Sequence, residues 1–257
     1  MLNKEMITQY DALFDKAEKA VANDRVRLKR VQRSRLSLQY SKLEIARSET
    51  VKDYDKINQM LRLFEERVKE FNVTELNERK NSPLHYCKLY RQRYMKRVET
   101  NLAKGAPVQY LTAPAKKYQA LADTALTDGL YGGSTFTESW VGWEGTDAAM
   151  VIDLGKATTI HTIKADFLHQ LGQWILLPTK VSYFYSEDGK NYLPWGTQDI
   201  AEDRSPEVKF VSIDNGKQQP AQARFIKLEI TGTKVCPGWH YGVGNPCWFF
   251  MDEVTVQ

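Results

Sequence analysis

The 257-residue chain has little cysteine and little histidine, three residues of the first and four of the second. Three thiols do not make a disulfide framework, so the fold must rest on an ordinary hydrophobic core. No run of about 18 apolar residues occurs, which excludes a hydrophobic membrane-spanning helix. Met1-Leu2-Asn3-Lys4-Glu5 leads into an amphipathic pattern instead of an apolar core, so no signal peptide is read at this end. The motifs of common catalytic sites are missing too: no Gly-x-Ser-x-Gly elbow, His-Glu-x-x-His, phosphate loop or Cys-x-x-Cys. Glu138, Glu144 and Asp147 flank Trp140 and Trp143, but nothing isolates two of these carboxylates at the fixed separation that glycoside hydrolysis needs. No catalysis is expected of this chain.

What is present is unevenly distributed. Residues 1–105 carry 24 Lys and Arg against 15 Asp and Glu, a net of +9, whereas residues 106–257 carry 12 against 17, a net of −5. All six tryptophans follow residue 139. A change of charge sign and aromatic content together predicts two domains, 1–105 and 106–257, with Gly105-Ala106-Pro107 and Ala113-Pro114 marking the joint. Basic residues in the first part alternate with acidic ones, which suits a solvated helical surface better than a nucleic-acid face.

In that first part, Met6, Tyr10, Leu13, Phe14, Ala17 and Val21 fall at three- and four-residue steps, one stripe of a helix. Asn23-Asp24 breaks it with capping chemistry, and a second helix runs on with Val26 or Leu28, Val31, Leu38, Leu43 and Ala46 inward. A third spans about Asp53 to Phe71. A fourth opens at Ser82-Pro83, a cap followed by proline in the first turn. Short connections between amphipathic helices predict an antiparallel bundle, and Cys87 reads as a buried free thiol in it. Beyond residue 106 the period changes to two. Met150–Leu154, Ile160–Ala165, Lys180–Tyr185, Val208–Ile213 and Ile226–Thr231 are short alternating or apolar runs, closed by polar turns such as Glu187-Asp188-Gly189. Many short strands predict a β-sandwich of jelly-roll type.

One stretch organises the second part. Asp128-Gly129, then Thr135, then Trp140 and Trp143, then a strand ending at Asp153-Leu154-Gly155, resembles the opening of the discoidin domain, the coagulation factor five/eight type C domain. Ser186-Glu187-Asp188-Gly189-Lys190-Asn191-Tyr192 and the ending Asp252-Glu253-Val254-Thr255-Val256 resemble its middle and its end. The resemblance spans roughly residues 107–257. Arg35-Leu36-Ser37-Leu38-Gln39-Tyr40, in the helical part, resembles a segment that follows the catalytic-like portion of some large secreted glycosidase-related bacterial proteins. It implies that the chain is the C-terminal, non-catalytic region of a secreted, periplasmic or surface-exposed multidomain protein, working with an upstream catalytic domain.

Two candidate sites follow. A hard cation such as calcium takes six to eight oxygens, several of them carbonyls, and the glycine-rich turn around Asp128 offers such a set. The resemblance implies a structural calcium ion held by Asp128, Thr135, Glu253 and the Leu126 carbonyl, with the Tyr131 carbonyl in reach; the plainer alternative is that Asp128 caps its own turn. A glycan needs an aromatic platform and a few fixed polar groups, and three loops supply both. The candidates are Trp143, His169, Gln173, Trp174, Trp239, His240 and Asn245, with Trp239 and His240 foremost; Trp140 and Trp248 read as core. Galactose- or N-acetylhexosamine-type sugars are the implied ligands. The family's galactose binders add an arginine, and Arg204 and Arg224 stand in other contexts in the sequence. Cys236 and Cys247 flank the richest of these loops and are either bridged or free. The competing reading is a purely structural module that buttresses the upstream domain, with its loop tryptophans buried.

Overall fold

Side-chain oxygens set the helix starts. In a computed structural model that describes all residues except 1, 2, 48, 50–52, 77–81, 96–100, 120–122, 134, 135 and 138, Asn3 accepts from the Met6 amide at the start of α1 (Lys4–Ala20) and Asp24 from the Arg27 amide at the start of α2 (Arg25–Ser34). After α3 (Leu36–Arg47), Asp53 accepts from Lys56 at the head of α4 (Tyr54–Glu70), and Ser82 from His85 at the head of α5 (Pro83–Arg93). Each bond satisfies an amide that has no partner inside its own helix. The inward stripe of α4, Ile57, Leu61, Phe64 and Val68, is buried as its spacing predicts, against Leu36, Leu38, Leu43 and Ala46 of α3 and Cys87 and Tyr90 of α5. The Tyr90 hydroxyl, deep in this core, donates to the Leu43 carbonyl at 2.7 Å.

The predicted second helix is two. It bends at Arg35, where the burial requirement changes: α2 buries no residue, while α3 buries four, including Leu36 and Leu38, which a straight helix places on opposed faces. The Arg35 guanidinium ties the bend to α1 through Asp11, Asp15 at 2.8 Å and Glu18 at 3.0 Å.

The chain divides into two compact units, Met1–Lys96 and Arg97–Gln257, against the joint at 105/106 expected from composition. Hydrogen bonds explain the earlier start of the second: the Leu102 amide donates to the Val256 carbonyl at 2.8 Å, Gly105 to the Thr127 carbonyl at 2.7 Å, and Asn101 reaches Glu253.

The second unit is a sandwich of two antiparallel sheets. Its strands are β1 (Val108–Tyr110), β2 (Val141–Glu144), β3 (Ala148–Ile160), β4 (Ile163–His169), β5 (Lys180–Ser186), β6 (Leu193–Asp199), β7 (Lys209–Asp214), β8 (Ala221–Thr231) and β9 (Trp248–Val256). One sheet has the order β1-β3-β8-β5-β6 and the other β2-β9-β4-β7. Alternate residues of both, among them Met150, Ile152, Phe167, Tyr183, Ile226, Leu228 and Met251, form one core between them. The strand expected to stop at Asp153-Leu154-Gly155 continues to Ile160 past a register shift between Asp153 and Thr158. Gly155 takes the left-handed conformation there (φ 81°) and donates to the Asp153 carboxylate, so the motif marks a bulge, not an end. No helix among the described residues is long and apolar enough to cross a membrane.

Candidate functional site

Strand β9 brings two carboxylates to one place by an irregularity. Ala165 pairs with Val254 and Phe167 with Met251, so β9 carries one residue more than β4 across this step, a bulge at Asp252 and Glu253 opposite Asp166. Both acids are buried, and both accept from the turn that follows Leu126: Gly132 donates to Asp252 at 2.6 Å and Gly129 to Glu253 at 3.0 Å. Asn101 donates to the second Glu253 oxygen at 3.2 Å. Burial, reinforced by the neighbouring carboxylates of Asp252, Asp128 and Asp166, pushes the Glu253 carboxyl up to about 9, although the Gly129 amide works the other way. The Asp128 carboxylate accepts from Leu130 at 2.7 Å, the turn-capping bond, and the Leu126 carbonyl accepts from Val254 at 2.7 Å, keeping one lone pair for another partner. Thr135 lies outside the described residues. Among those described, no three His, Cys, Asp or Glu side chains converge as a metal set, so a cation here would draw on carbonyl oxygens beside Glu253 and Asp128.

A second set of groups gathers where the connections 171–174, 200–205 and 232–247 meet. The Trp239 ring is half-buried; its indole N–H donates to the Glu202 carboxylate at 2.6 Å and the Arg204 guanidinium lies 5.0 Å above its centroid. Glu202 in turn pairs with Arg204 at 2.6 Å, and these contacts hold its carboxyl below the ordinary range, Trp239 most of all. Beside Trp239 opens a hollow of about 190 Å³, walled by Leu176–Thr179, Ile200–Asp203, Thr233 and Pro237. On the other side of Trp239, His240 is buried. Its Nδ1 accepts from the Gly242 amide at 3.0 Å, so its Nε2 carries the proton and donates to the Leu171 carbonyl at 3.1 Å. Tyr241 stacks on that imidazole, centroids 4.5 Å apart, is 69% exposed, and bridges to the Gly172 carbonyl at 2.8 Å. Trp174 meets both rings edge-on.

The residues named from sequence therefore separate. Trp239, Trp174 and exposed Gln173 come together in this region, and exposed Asn245 braces its loop by donating to the Gly242 carbonyl at 3.1 Å. Trp143 does not belong to it: the ring is buried, stacked 5.2 Å from Phe249, and its N–H donates to the Thr112 carbonyl. Its place on β2 made it a core residue. His169 is also buried, with Nε2 2.9 Å from the Ser205 carbonyl and 4.0 Å from Asp203, and so holds the 203–205 connection instead of facing solvent. His240, foremost among the candidates, is buried and braces Tyr241 from beneath instead of opening to solvent. Trp140 is core as expected, stacked on Phe210. Two residues here, Tyr241 and Glu202, were missed, and Arg204 was named and set aside. Tyr241 had a visible signal, an aromatic between glycines at 238 and 242; Glu202 and Arg204 had none, since they sit 37 and 35 positions before the ring they touch.

Gly242 carries a checkable consequence. A Cβ there would stand 2.8 Å from the Trp174 ring and 3.2 Å from the His240 imidazole, and Trp174 already occupies a left-handed backbone conformation (φ 62°). Gly242→Ala is expected to displace the Trp174 ring and destabilise the sandwich by about 2 kcal/mol. Thermal melting with tryptophan emission as the probe would register both; an unchanged spectrum and midpoint would contradict the packing described.

No curated protein matches the chain. Among solved structures it is similar to a chitosan-binding module of a chitosanase/glucanase from Paenibacillus sp. IK-5, with 14% identity and a TM-score of 0.39 over 62% of this chain and 99% of that one. A Clostridium perfringens module solved with GalNAc-β-1,3-galactose gives 17% and 0.36, over 61% and 99%. A fucosidase from Ruminococcus gnavus, solved with fucose, gives 17% and 0.39, and there the match spans 68% of this chain but 29% of the enzyme. These likenesses concern the fold alone. The family model described as the F5/8 type C domain matches residues 111–244, more than half of the chain, and the chain belongs to that family, the discoidin domains.

Proposed function

We propose that the sandwich is a non-catalytic carbohydrate-binding module in which Trp239, Trp174 and Tyr241 offer their ring surfaces to a galactose- or N-acetylhexosamine-type sugar. The observation that carries this is the joined loop pair: an exposed tyrosine ring propped on a buried imidazole, next to a hollow walled by a tryptophan. Sugars present flat C–H faces to such rings and hydroxyls to fixed polar groups, and Glu202, Arg204, Gln173 and Asn245 supply those around the aromatics. Arg204, set aside on its sequence context, stands against the Trp239 ring and would serve as the arginine of such a site.

Binding is weak, because one sugar on an exposed surface buries little area. The module's work is then to keep an upstream catalytic domain of a secreted glycosidase-like protein near its substrate, raising effective concentration without new chemistry. Calcium at the Asp128–Glu253 turn is part of the same proposal. The buried carboxylates of Glu253 and Asp252 suit a divalent cation, which would join the turn after Leu126 to the last strand and supply structural, not catalytic, chemistry. Calorimetric titration with galactose, N-acetylgalactosamine, N-acetylglucosamine and their oligomers, in calcium, tests the sugar claim. Dissociation constants on the order of 0.1–1 mM are expected for at least one of them; no heat with any would leave the structural-module reading in its place.

A further inference from the structure

The two cysteines of the sandwich face one another. Cys236 and Cys247 are both buried, in a small cluster with Leu176 beneath Leu171, Trp174 and Trp239, and their thiols lie within hydrogen-bonding reach of each other. Backbone geometry brings them there. Val235 and Pro246 form an antiparallel bridge, with Cys236 donating to the Asn245 carbonyl at 2.8 Å and Cys247 to the Lys234 carbonyl at 3.3 Å. Cys236 and Cys247 thus sit on the same side of the pair as diagonal neighbours, Cα atoms roughly 7–8 Å apart, so a slight closing of the two segments brings the sulfurs to disulfide distance. The remaining cysteine, Cys87, belongs to the helical unit.

The geometry points to Cys236 and Cys247 as a cross-link site, a disulfide that closes the 236–247 loop carrying Trp239, His240 and Tyr241. The bond forms by exchange with a low-molecular-weight or protein disulfide. A thiolate of the pair attacks the reagent's disulfide, the reagent leaves as one thiol, and the second cysteine displaces the other, so two protein thiols are oxidised and one reagent disulfide is reduced to two thiols. Closing the loop removes conformational freedom from the unfolded chain and from the loop's own openings. Burial holds both thiols in the protonated form, Cys247 up to about 12, so exchange is slow at neutral pH and faster in mild alkali. The Cys247 thiol now donates to the Thr233 carbonyl at 2.6 Å, a bond that the cross-link replaces.

The cross-link itself is independent of what the loop binds; its bearing on glycan recognition rests on the reading given above. The test equilibrates the full chain in oxidised and reduced glutathione at about pH 8.5, followed by acid quench, alkylation in denaturant and peptide mass analysis. The expected product has Cys236 and Cys247 joined, lighter by two hydrogens, with Cys87 alkylated. Its melting midpoint is about 5 °C above that of the reduced protein, and dithiothreitol reverses the shift. Cys87→Ala retains the shift and Cys236→Ala loses it; the dithiothreitol reversal on the unmodified chain decides the matter if that variant folds poorly. Three alkylated cysteines after full oxidation, or glutathione adducts and intermolecular dimers without the internal bridge, would overturn the proposal. A bridge that forms in a protein giving no heat with any sugar would leave the cross-link standing and remove only the glycan reading.

Discussion

In EDTA the sandwich is expected to lose stability steadily as pH rises from 5 to 8.5, and calcium is expected to restore about 10 °C of melting temperature at the alkaline end while adding little at pH 5. Glu253 is the source. Its carboxyl, raised from 4.5 to about 9 in the folded chain, holds a proton that the unfolded chain has released above its ordinary value. The folded state therefore binds more protons than the unfolded one throughout that window. Its stability is complete below the unfolded value and falls by up to roughly 1.4 kcal/mol per pH unit until the folded value is passed. The groups facing the carboxyl define the effect: Asp128 in the turn, Asp252 beside it on β9 and Asp166 across on β4 all disfavour its charge, and the Gly129 amide favours it.

A calcium ion held there would reverse the preference, since it would take the ionised carboxylate and displace the proton. Its affinity would rise with pH for the same reason that the metal-free fold weakens. Glu253→Gln keeps an acceptor for the Gly129 amide but cannot ionise. The variant should melt with a flatter pH dependence in EDTA and show no response to calcium. Equal melting curves with and without calcium from pH 5 to 9 would sink the metal reading, and so would a calcium response that survives in Glu253→Gln.

The second large effect concerns the rings. Trp239→Ala and Tyr241→Ala are each expected to weaken sugar binding at least about tenfold while leaving the fold in place, because each removes ring surface from the face and neither ring is part of the main core. Tyr241→Phe keeps the ring but loses the bond to the Gly172 carbonyl, so a loss of only a few-fold is expected. Trp143→Ala must behave differently. Its ring is sealed against Phe249 and Tyr110, and its removal should cost about 3–5 kcal/mol of stability. Affinity measured on the folded fraction should be unchanged. Parallel calorimetry and thermal melts separate the two outcomes. If Trp143→Ala abolished binding without lowering the midpoint, the division between platform and core would be wrong.

That division shows where sequence reading reached. The helix starts at Asp24, Asp53 and Ser82, the inward stripe of α4 and the Asp188 turn were all legible, because each depends on residues within a few positions. The interruption of the second helix at Arg35 was not, since helical spacing continues through it and only the differing burial of α2 and α3 separates them. Gly155 was correctly singled out but misread: the same left-handed glycine serves a strand end or a bulge, and pairing with β8 beyond it decides which. Residue type alone did not tell a half-buried loop ring from a core ring. Trp143 and Trp239 both stand in polar, glycine-containing surroundings in the sequence, yet one lies on a strand covered by β9 and the other at a loop edge.

The amino-acid sequence by itself determined a helical part and a β-sandwich part, the family of the sandwich, and the two loop regions that carry the candidate sites, because periodicity, turn chemistry and motif order are properties of neighbouring residues. The tertiary structure alone decided which side chains share a site. It placed Glu202 and Arg204 on Trp239, bulged β9 so that Asp252 and Glu253 meet one turn, and set Cys236 against Cys247. Exposure, charge crowding and contact depend on segments far apart in the chain, and only the packing of two twisted sheets brings those segments together.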